Sequence, residues 1–119
     1  MNHTVLIVED EEDLREMMRE ALELSGYSVI TAQEGVDALA KLDGIDRLCL
    51  ILLDLLMPGM NGWDLFERVR ARPELSSVPI IVHSSAANQA PQGVTRVLRK
   101  PLVLDKLLST VKEYCTPQN

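Results

Sequence analysis

The sequence predicts an α/β fold: a doubly wound, five-stranded parallel sheet with helices on both faces. Three observations carry that expectation. Short apolar runs alternate with amphipathic stripes five times along the chain. The runs stop abruptly at polar or charged residues, and Gly, Pro or Asn punctuates the gaps. Such alternation calls for parallel strands joined by right-handed crossovers, and in such sheets function gathers beyond the carboxyl ends of the strands.

Each element follows from its residues. Val5-Leu6-Ile7-Val8 is continuously apolar, the pattern of a strand covered on both faces, and halts at Glu9. Leu14, Met17, Met18, Ala21 and Leu22 then recur at helical spacing, with Met17 and Met18 expected in the core. Glu11, Glu12 and Asp13 suit the start of that helix, where the dipole favours acids, and Gly26 suits its end. Tyr27–Ala32 reads as a second strand, and Val36, Leu39 and Ala40 mark a second helix closing near Asp43-Gly44. Leu48–Leu53 is a third strand, halted by Asp54. Pro58-Gly59 and Asn61-Gly62 signal turns. Leu65, Phe66 and Val69 mark a third helix from Gly62 to before Pro73, and Pro79–His83 is a fourth strand. Residues Ser85–Gly93 are small and polar with Pro91 inside, so the fourth helix position is expected to be short or irregular. Thr95–Arg99 is a weak fifth strand. Leu104, Leu107, Leu108, Val111, Tyr114 and Cys115 form the last stripe, before a polar tail, Thr116–Asn119.

Composition narrows the function. The chain has 119 residues, 46% of them hydrophobic and 25% charged, and reads as one domain, 1–119. The net charge of −6 disfavours bulk attraction to nucleic acid or anionic membranes. All of that excess lies in residues 1–23, where eight acids face Arg15 and Arg19. One Trp, two Tyr and one Phe make a poor base-stacking surface. No signal peptide or membrane-spanning run is visible. Cys49 and Cys115 lie far apart, outside any zinc or disulfide motif, and Cys49 is expected to be a buried thiol. The expectation is a reduced, cytoplasmic protein.

The strand ends carry the chemistry. Glu9 and Asp10 follow the first strand, Asp54 the third, Ser84 and Ser85 the fourth, Lys100 and Pro101 the fifth. Taken singly these residues have plain alternatives: a helix start for Glu9 and Asp10, a turn for Ser84, a surface lysine for Lys100. Together they bring three carboxylates, a hydroxyl and an ammonium to one rim. Close carboxylates repel, and a hard divalent cation with oxygen ligands relieves the repulsion. A lysine and a hydroxyl complement a phosphoryl group, and carboxylates form acyl phosphates. The inferred chemistry is Mg²⁺-aided phosphoryl transfer onto an aspartate, with Mn²⁺ as a substitute cation. His83 alternates with Ser84 and is expected to face the other way as a buried, hydrogen-bonded side chain; His3 reads as an ordinary terminal residue. Arg68, Arg70 and Arg72 read as a charged helix surface.

Four segments, Val5–Glu11, Asp54–Gly62, Pro79–Ser84 and Lys100-Pro101, resemble the receiver domain of bacterial two-component response regulators, over essentially the whole chain. The resemblance implies the strand order 2-1-3-4-5 of the chemotaxis regulators. It makes Asp54 both the phosphoacceptor and a Mg²⁺ ligand and Asp10 the main Mg²⁺ ligand, with Glu9 acting through water and the Leu56 carbonyl completing the protein ligands. It makes Ser84 and Lys100 the partners of the phosphoryl group and puts Pro101 after a cis peptide bond. It implies a sensor histidine kinase or a histidine phosphotransfer domain as donor, and a protein target or fused output domain as receiver of the signal.

The chain also departs from the family. Val97 replaces the usual aromatic residue three positions before Lys100, Ser85 replaces a small apolar residue, and Leu102 replaces a frequent Phe. The stretch from Ser84 to Lys100 is shorter by about one and a half helical turns. Leu56 and Ala86, which would flank the site, cannot hydrogen-bond an attacking water, so slow self-dephosphorylation is expected. Two other classes stand beside the phosphoacceptor: a pseudo-receiver acting as an interaction module without phosphorylation, favoured by the shortened segment, and an aspartyl-phosphate enzyme, which needs a second acid where Leu56 stands. No enzymatic turnover of a separate substrate is expected.

Overall fold

The computed structural model describes residues 4–116. His3 and the last residues of the polar tail lie outside them. Five strands, β1 (Thr4–Val8), β2 (Ser28–Ala32), β3 (Leu48–Leu53), β4 (Ile80–Ser84) and β5 (Arg96–Arg99), form one parallel sheet in the order β2-β1-β3-β4-β5. The helices are α1 (Glu12–Leu24), α2 (Gly35–Leu42), α3 (Gly62–Arg70) and α4 (Leu104–Tyr114).

The sequence pattern explains the layering. Every residue of β1, β3 and β4 is buried, as their unbroken apolar runs require of strands covered on both faces. Leu6, Val8, Ile51, Leu53 and Ile80 pack with Ala38, Leu42, Leu65, Phe66 and Val69 of α2 and α3. Val5, Ile7, Leu52 and Ile81 pack on the other face with Met18, Leu22, Leu107 and Val111 of α1 and α4. Each of these large side chains contributes roughly 1.5–3 kcal/mol by leaving water. The edge strands β2 and β5 are only partly buried.

Between β4 and β5 no α-helix forms. The crossover holds one short 3₁₀ turn, Ala87–Gln89, and Gly93 at φ 95°. Trp63 Nε1 donates to the Gln89 carbonyl at 2.8 Å, tying this turn to α3.

Four local expectations are corrected. Met18 is fully buried, but Met17 is 39% exposed, because the buried stripe of α1 runs through Arg15, Met18 and Leu22. Val36 is also exposed; α2 buries Gly35, Ala38 and Leu42 instead. Arg70 is not merely surface charge: its guanidinium donates to the carbonyls of Leu75, Ser76 and Val78 and lies over Phe66. Finally, Cys49 and Cys115 form a disulfide. The register of β1 on β3 shifts at Thr4/Val5, so Leu48 and Leu50 pair with consecutive residues and Cys49 falls in the irregularity. It thereby joins the side packed by α4, where Cys115 ends the apolar stripe, and the Cα atoms are 5.8 Å apart. Cysteine usage thus gives no support to a reducing compartment. A link across 66 residues restricts the unfolded chain, a contribution of up to about 4 kcal/mol. Among the described residues no helix is long and apolar enough to cross a membrane.

Candidate functional site

The carboxyl ends of β1, β3, β4 and β5 deliver the polar residues to one rim. Asp54 follows β3, is 2% exposed, and is anchored by its N–H to the Val8 carbonyl at 3.0 Å. Its Oδ1 accepts from the Leu56 N–H and its Oδ2 from Lys100 Nζ, both at 3.2 Å. Glu9 follows β1 and is fully buried. Its Oε1 accepts from Lys100 Nζ and from His83 Nε2, and its Oε2 from the Glu11 N–H, each at 3.0 Å. Asp10 is exposed beside it. Carboxylate oxygens of Glu9, Asp10 and Asp54 lie within 4.8 Å of one another.

Lys100 is placed by the end of β5: its N–H donates to the Ser84 carbonyl at 3.3 Å, and the Lys100–Pro101 peptide is cis. Ser84 ends β4 fully buried, its Oγ accepting from the Ala86 N–H at 3.1 Å. The turn after Asp54 is closed by α3. Gly62 N–H donates to the Leu55 carbonyl, and a Cβ on Gly62 would sit 2.5 Å from the Asp54 carbonyl oxygen. Only glycine lets α3 begin so near the aspartate. Asn61 caps that helix by accepting from the Asp64 N–H at 2.9 Å.

Charge at the rim is unevenly settled. Burial alone would raise the Glu9 pKa, but the His83 hydrogen bond, the Glu11 N–H and Lys100 outweigh it and hold the carboxyl well below its usual range. Asp10 goes the other way: partial burial, then the bond and charge of Glu9, then Asp54, all raise it. Burial would lower Lys100, yet Glu9 and Asp54 raise it. One ammonium thus serves two carboxylates while the third is pushed toward its protonated form. An oxygen-only donor set with unrelieved repulsion fits a hard divalent cation.

All six residues singled out from the sequence, Glu9, Asp10, Asp54, Leu56, Ser84 and Lys100, fall at this rim. Leu56 contributes its N–H to Asp54, and the residue is 50% exposed. Two further residues, Arg15 and His83, contribute to the rim. Arg15, buried on α1, donates to the Glu9 carbonyl at 3.0 Å; its place on the buried face of α1 was the available signal. The alternation along β4 predicts a buried, hydrogen-bonded His83, but no sequence signal names Glu9 as its partner.

The family described as "Response regulator receiver domain" matches residues 5–112. The transcriptional regulatory protein CrdR of Helicobacter pylori is 32% identical over 96% of this chain, and the chain spans 55% of that protein. It spans less, 33% and 24%, of two further relatives. A response regulator receiver protein from Pseudomonas putida superposes with a TM-score of 0.86 at 31% identity, over 95% of this chain and 98% of that one. Response regulator protein TrrA from Thermotoga maritima, solved in complex with Mg²⁺-BeF, gives 0.83 at 27% identity over 94% and 98%. With a family match across nearly its whole length, and the rim at the strand ends, the chain belongs to the response regulator receiver domains of two-component systems.

Proposed function

We propose that this receiver, a single domain over 1–119, accepts a phosphoryl group on Asp54 from a phosphohistidine of a sensor kinase or phosphotransfer domain. One observation carries the reading: Lys100 Nζ lies 3.2 Å from Asp54 Oδ2 and 3.0 Å from Glu9 Oε1, beside Asp10. An Asp54 carboxylate oxygen attacks phosphorus, the O–P bond forms as the P–N bond breaks, and the departing imidazole nitrogen takes a proton from solvent water. Lys100 balances the charge delivered to Asp54, and the Ser84 hydroxyl, now bonded to Ala86, donates to a phosphoryl oxygen. Asp10, Asp54, the Leu56 carbonyl and, through water, Glu9 would hold Mg²⁺ or its substitute Mn²⁺, which would supply charge neutralisation for the transfer. The TrrA complex with Mg²⁺-BeF supports this assignment by likeness.

The apolar Leu56 and Ala86 give an attacking water nothing to bond, so the phosphoryl group is lost slowly. The groove lined by Leu14, Met17, Pro101 and Leu102 beside Lys100 offers the donor an apolar seat next to the rim. The phosphorylated rim then changes contacts with a cytoplasmic protein target or a fused output domain. The chain turns over no separate substrate, binds no nucleic acid directly and does not insert into a membrane. The absence of a helix at residues 85–93 favours a second reading, an interaction module that is never phosphorylated.

Intact-mass measurement after incubation with Mg²⁺ and acetyl phosphate, beside Asp54→Asn, decides between them. A phosphoryl adduct on wild type alone is expected. No adduct under any donor supports the interaction module, and continuous hydrolysis of phosphate esters supports an enzyme.

A further inference from the structure

His83 takes no part in that chemistry, yet it lies under the rim with no exposure. Its ring makes one bond among the described residues, from Nε2 to Glu9 Oε1 at 3.0 Å, while Nδ1 is buried without a partner. A carboxylate only accepts, so the ring hydrogen sits on Nε2. A buried polar atom left unpaired is unfavourable. The strand before His83, Ile80 to Val82, is apolar, and an aliphatic side chain at 83 would fill the space without that penalty. As packing material the imidazole is a poor choice. What it gains is Glu9.

Its effect on Glu9 is specific. Oε1 is shared by Lys100 and His83, and Oε2 receives the Glu11 N–H. Each carboxylate oxygen has two acceptor sites, so Oε1 is filled and one site remains, on Oε2. Lys100 is also bonded to Asp54, and a phosphoryl group there would draw it away from Glu9. His83 would then remain as the side-chain donor on Oε1.

We propose that His83 is a positioning residue for the cation site: it fixes Glu9 with Oε1 turned inward, presents Oε2 to the cation or its water, and keeps Glu9 in place when Lys100 turns to the phosphoryl group. The proposal rests on the phosphoacceptor reading, and its test separates the two. Mg²⁺ affinity is measured by calorimetry on wild type, His83→Phe and His83→Gln, with melting temperatures alongside. His83→Phe keeps a ring but no donor, and is expected to weaken Mg²⁺ binding about tenfold, as loss of a carboxylate-orienting bond does. The Mg²⁺ concentration that half-saturates adduct formation should rise by the same factor, with the plateau unchanged. His83→Gln, which retains a donor, should recover most of the affinity. In a Glu9→Gln background, His83→Phe should change nothing further. In metal-free, ¹⁵N-histidine-labelled protein, the Nε2–H resonance should be protected from exchange and should shift in Glu9→Gln.

Wild-type Mg²⁺ affinity in His83→Phe, or a change in melting temperature alone, overturns the positioning role and leaves the phosphoacceptor reading standing. Failure of wild type to bind Mg²⁺ or form an adduct overturns that reading itself. Should His83→Phe not fold, His83→Leu replaces it, and the Nε2–H measurement decides without either.

Discussion

Two parts of the same sheet edge are built differently. Around Asp54, Glu9 and Lys100, polar side chains are held by donors at 3.0–3.2 Å, the backbone after Asp54 is pressed against Gly62, and Asp54 and Glu9 are shut from solvent. Across the β4–β5 crossover there is a single 3₁₀ turn and one indole hydrogen bond to Gln89, and on β5 beyond it Val97 is 39% exposed. The first part is fixed by a polar network in which each group constrains the next. The second is held by a few backbone bonds, the Trp63 indole, the Thr95 hydroxyl that accepts from the Ile80 N–H, and the packing of Ala87 and Val94. One sheet edge can thus hold a tight polar rim beside a crossover reduced to a single short turn.

Substituting two glycines breaks that comparison most strongly. Gly62→Ala places a Cβ 2.5–2.6 Å from the backbone of Asp54 and Leu55, so α3 or the Asp54 loop must move. A loss of about 3 kcal/mol is expected in urea unfolding, with slower adduct formation. Gly93→Ala meets only Phe66 Cζ at 3.5 Å, and its penalty is the left-handed backbone at φ +95°, about 1 kcal/mol. Equal losses would mean the crossover is packed as tightly as the rim.

The carboxylates make a pH test of intermediate size, read as melting temperature in EDTA. Glu9 is lowered from 4.5, so its contribution is complete above that value and is lost as pH falls toward the folded value near 2. Asp10 is raised from 3.8, so its proton-bound form favours folding; that contribution is complete below 3.8 and is lost as pH rises through the folded value. At neutral pH Glu9→Gln should therefore lower the melting temperature and Asp10→Asn should raise it, the latter gain vanishing below the ordinary value of 3.8. Asp10→Asn should also abolish stabilisation by added Mg²⁺. Opposite signs for the two variants support the division of charge at the rim; like signs contradict it.

The smallest effect is optical. Trp63 is the only tryptophan, and its indole reports the Gln89 turn directly. Mg²⁺ with beryllofluoride should shift its emission modestly, and Ser84→Ala, which removes the hydroxyl held by Ala86, should suppress the shift while leaving Mg²⁺ affinity unchanged.

Legibility in the sequence divided along the same line. The buried strands were plain because both faces are covered, and continuous apolarity has no other use in so short a run. Their abrupt ends at Glu9, Asp54 and Ser84 put the rim in view, with Lys100 after the weaker fifth strand, and Pro91 with Gly93 announced the missing helix. What stayed hidden depended on contacts between distant residues. Met17 and Met18 are adjacent on the helix, and the exact rotation of α1 decides which is covered. The Cys49–Cys115 bond follows from a register shift in β3 that no local pattern records. The strand parity of His83 predicted its burial but could not supply Glu9 as partner, since that depends on how β4 and β1 stack through β3.

The most direct test compares backbone amide spectra and sedimentation of the free and Mg²⁺-beryllofluoride forms. A complete rim with a reduced crossover predicts shifts around Asp54, Lys100, Ala86–Gln89 and Trp63, little change at Val97, and a monomer throughout. Ordering of residues 85–93 into a full helix, with dimerisation through the β5 face, would contradict it.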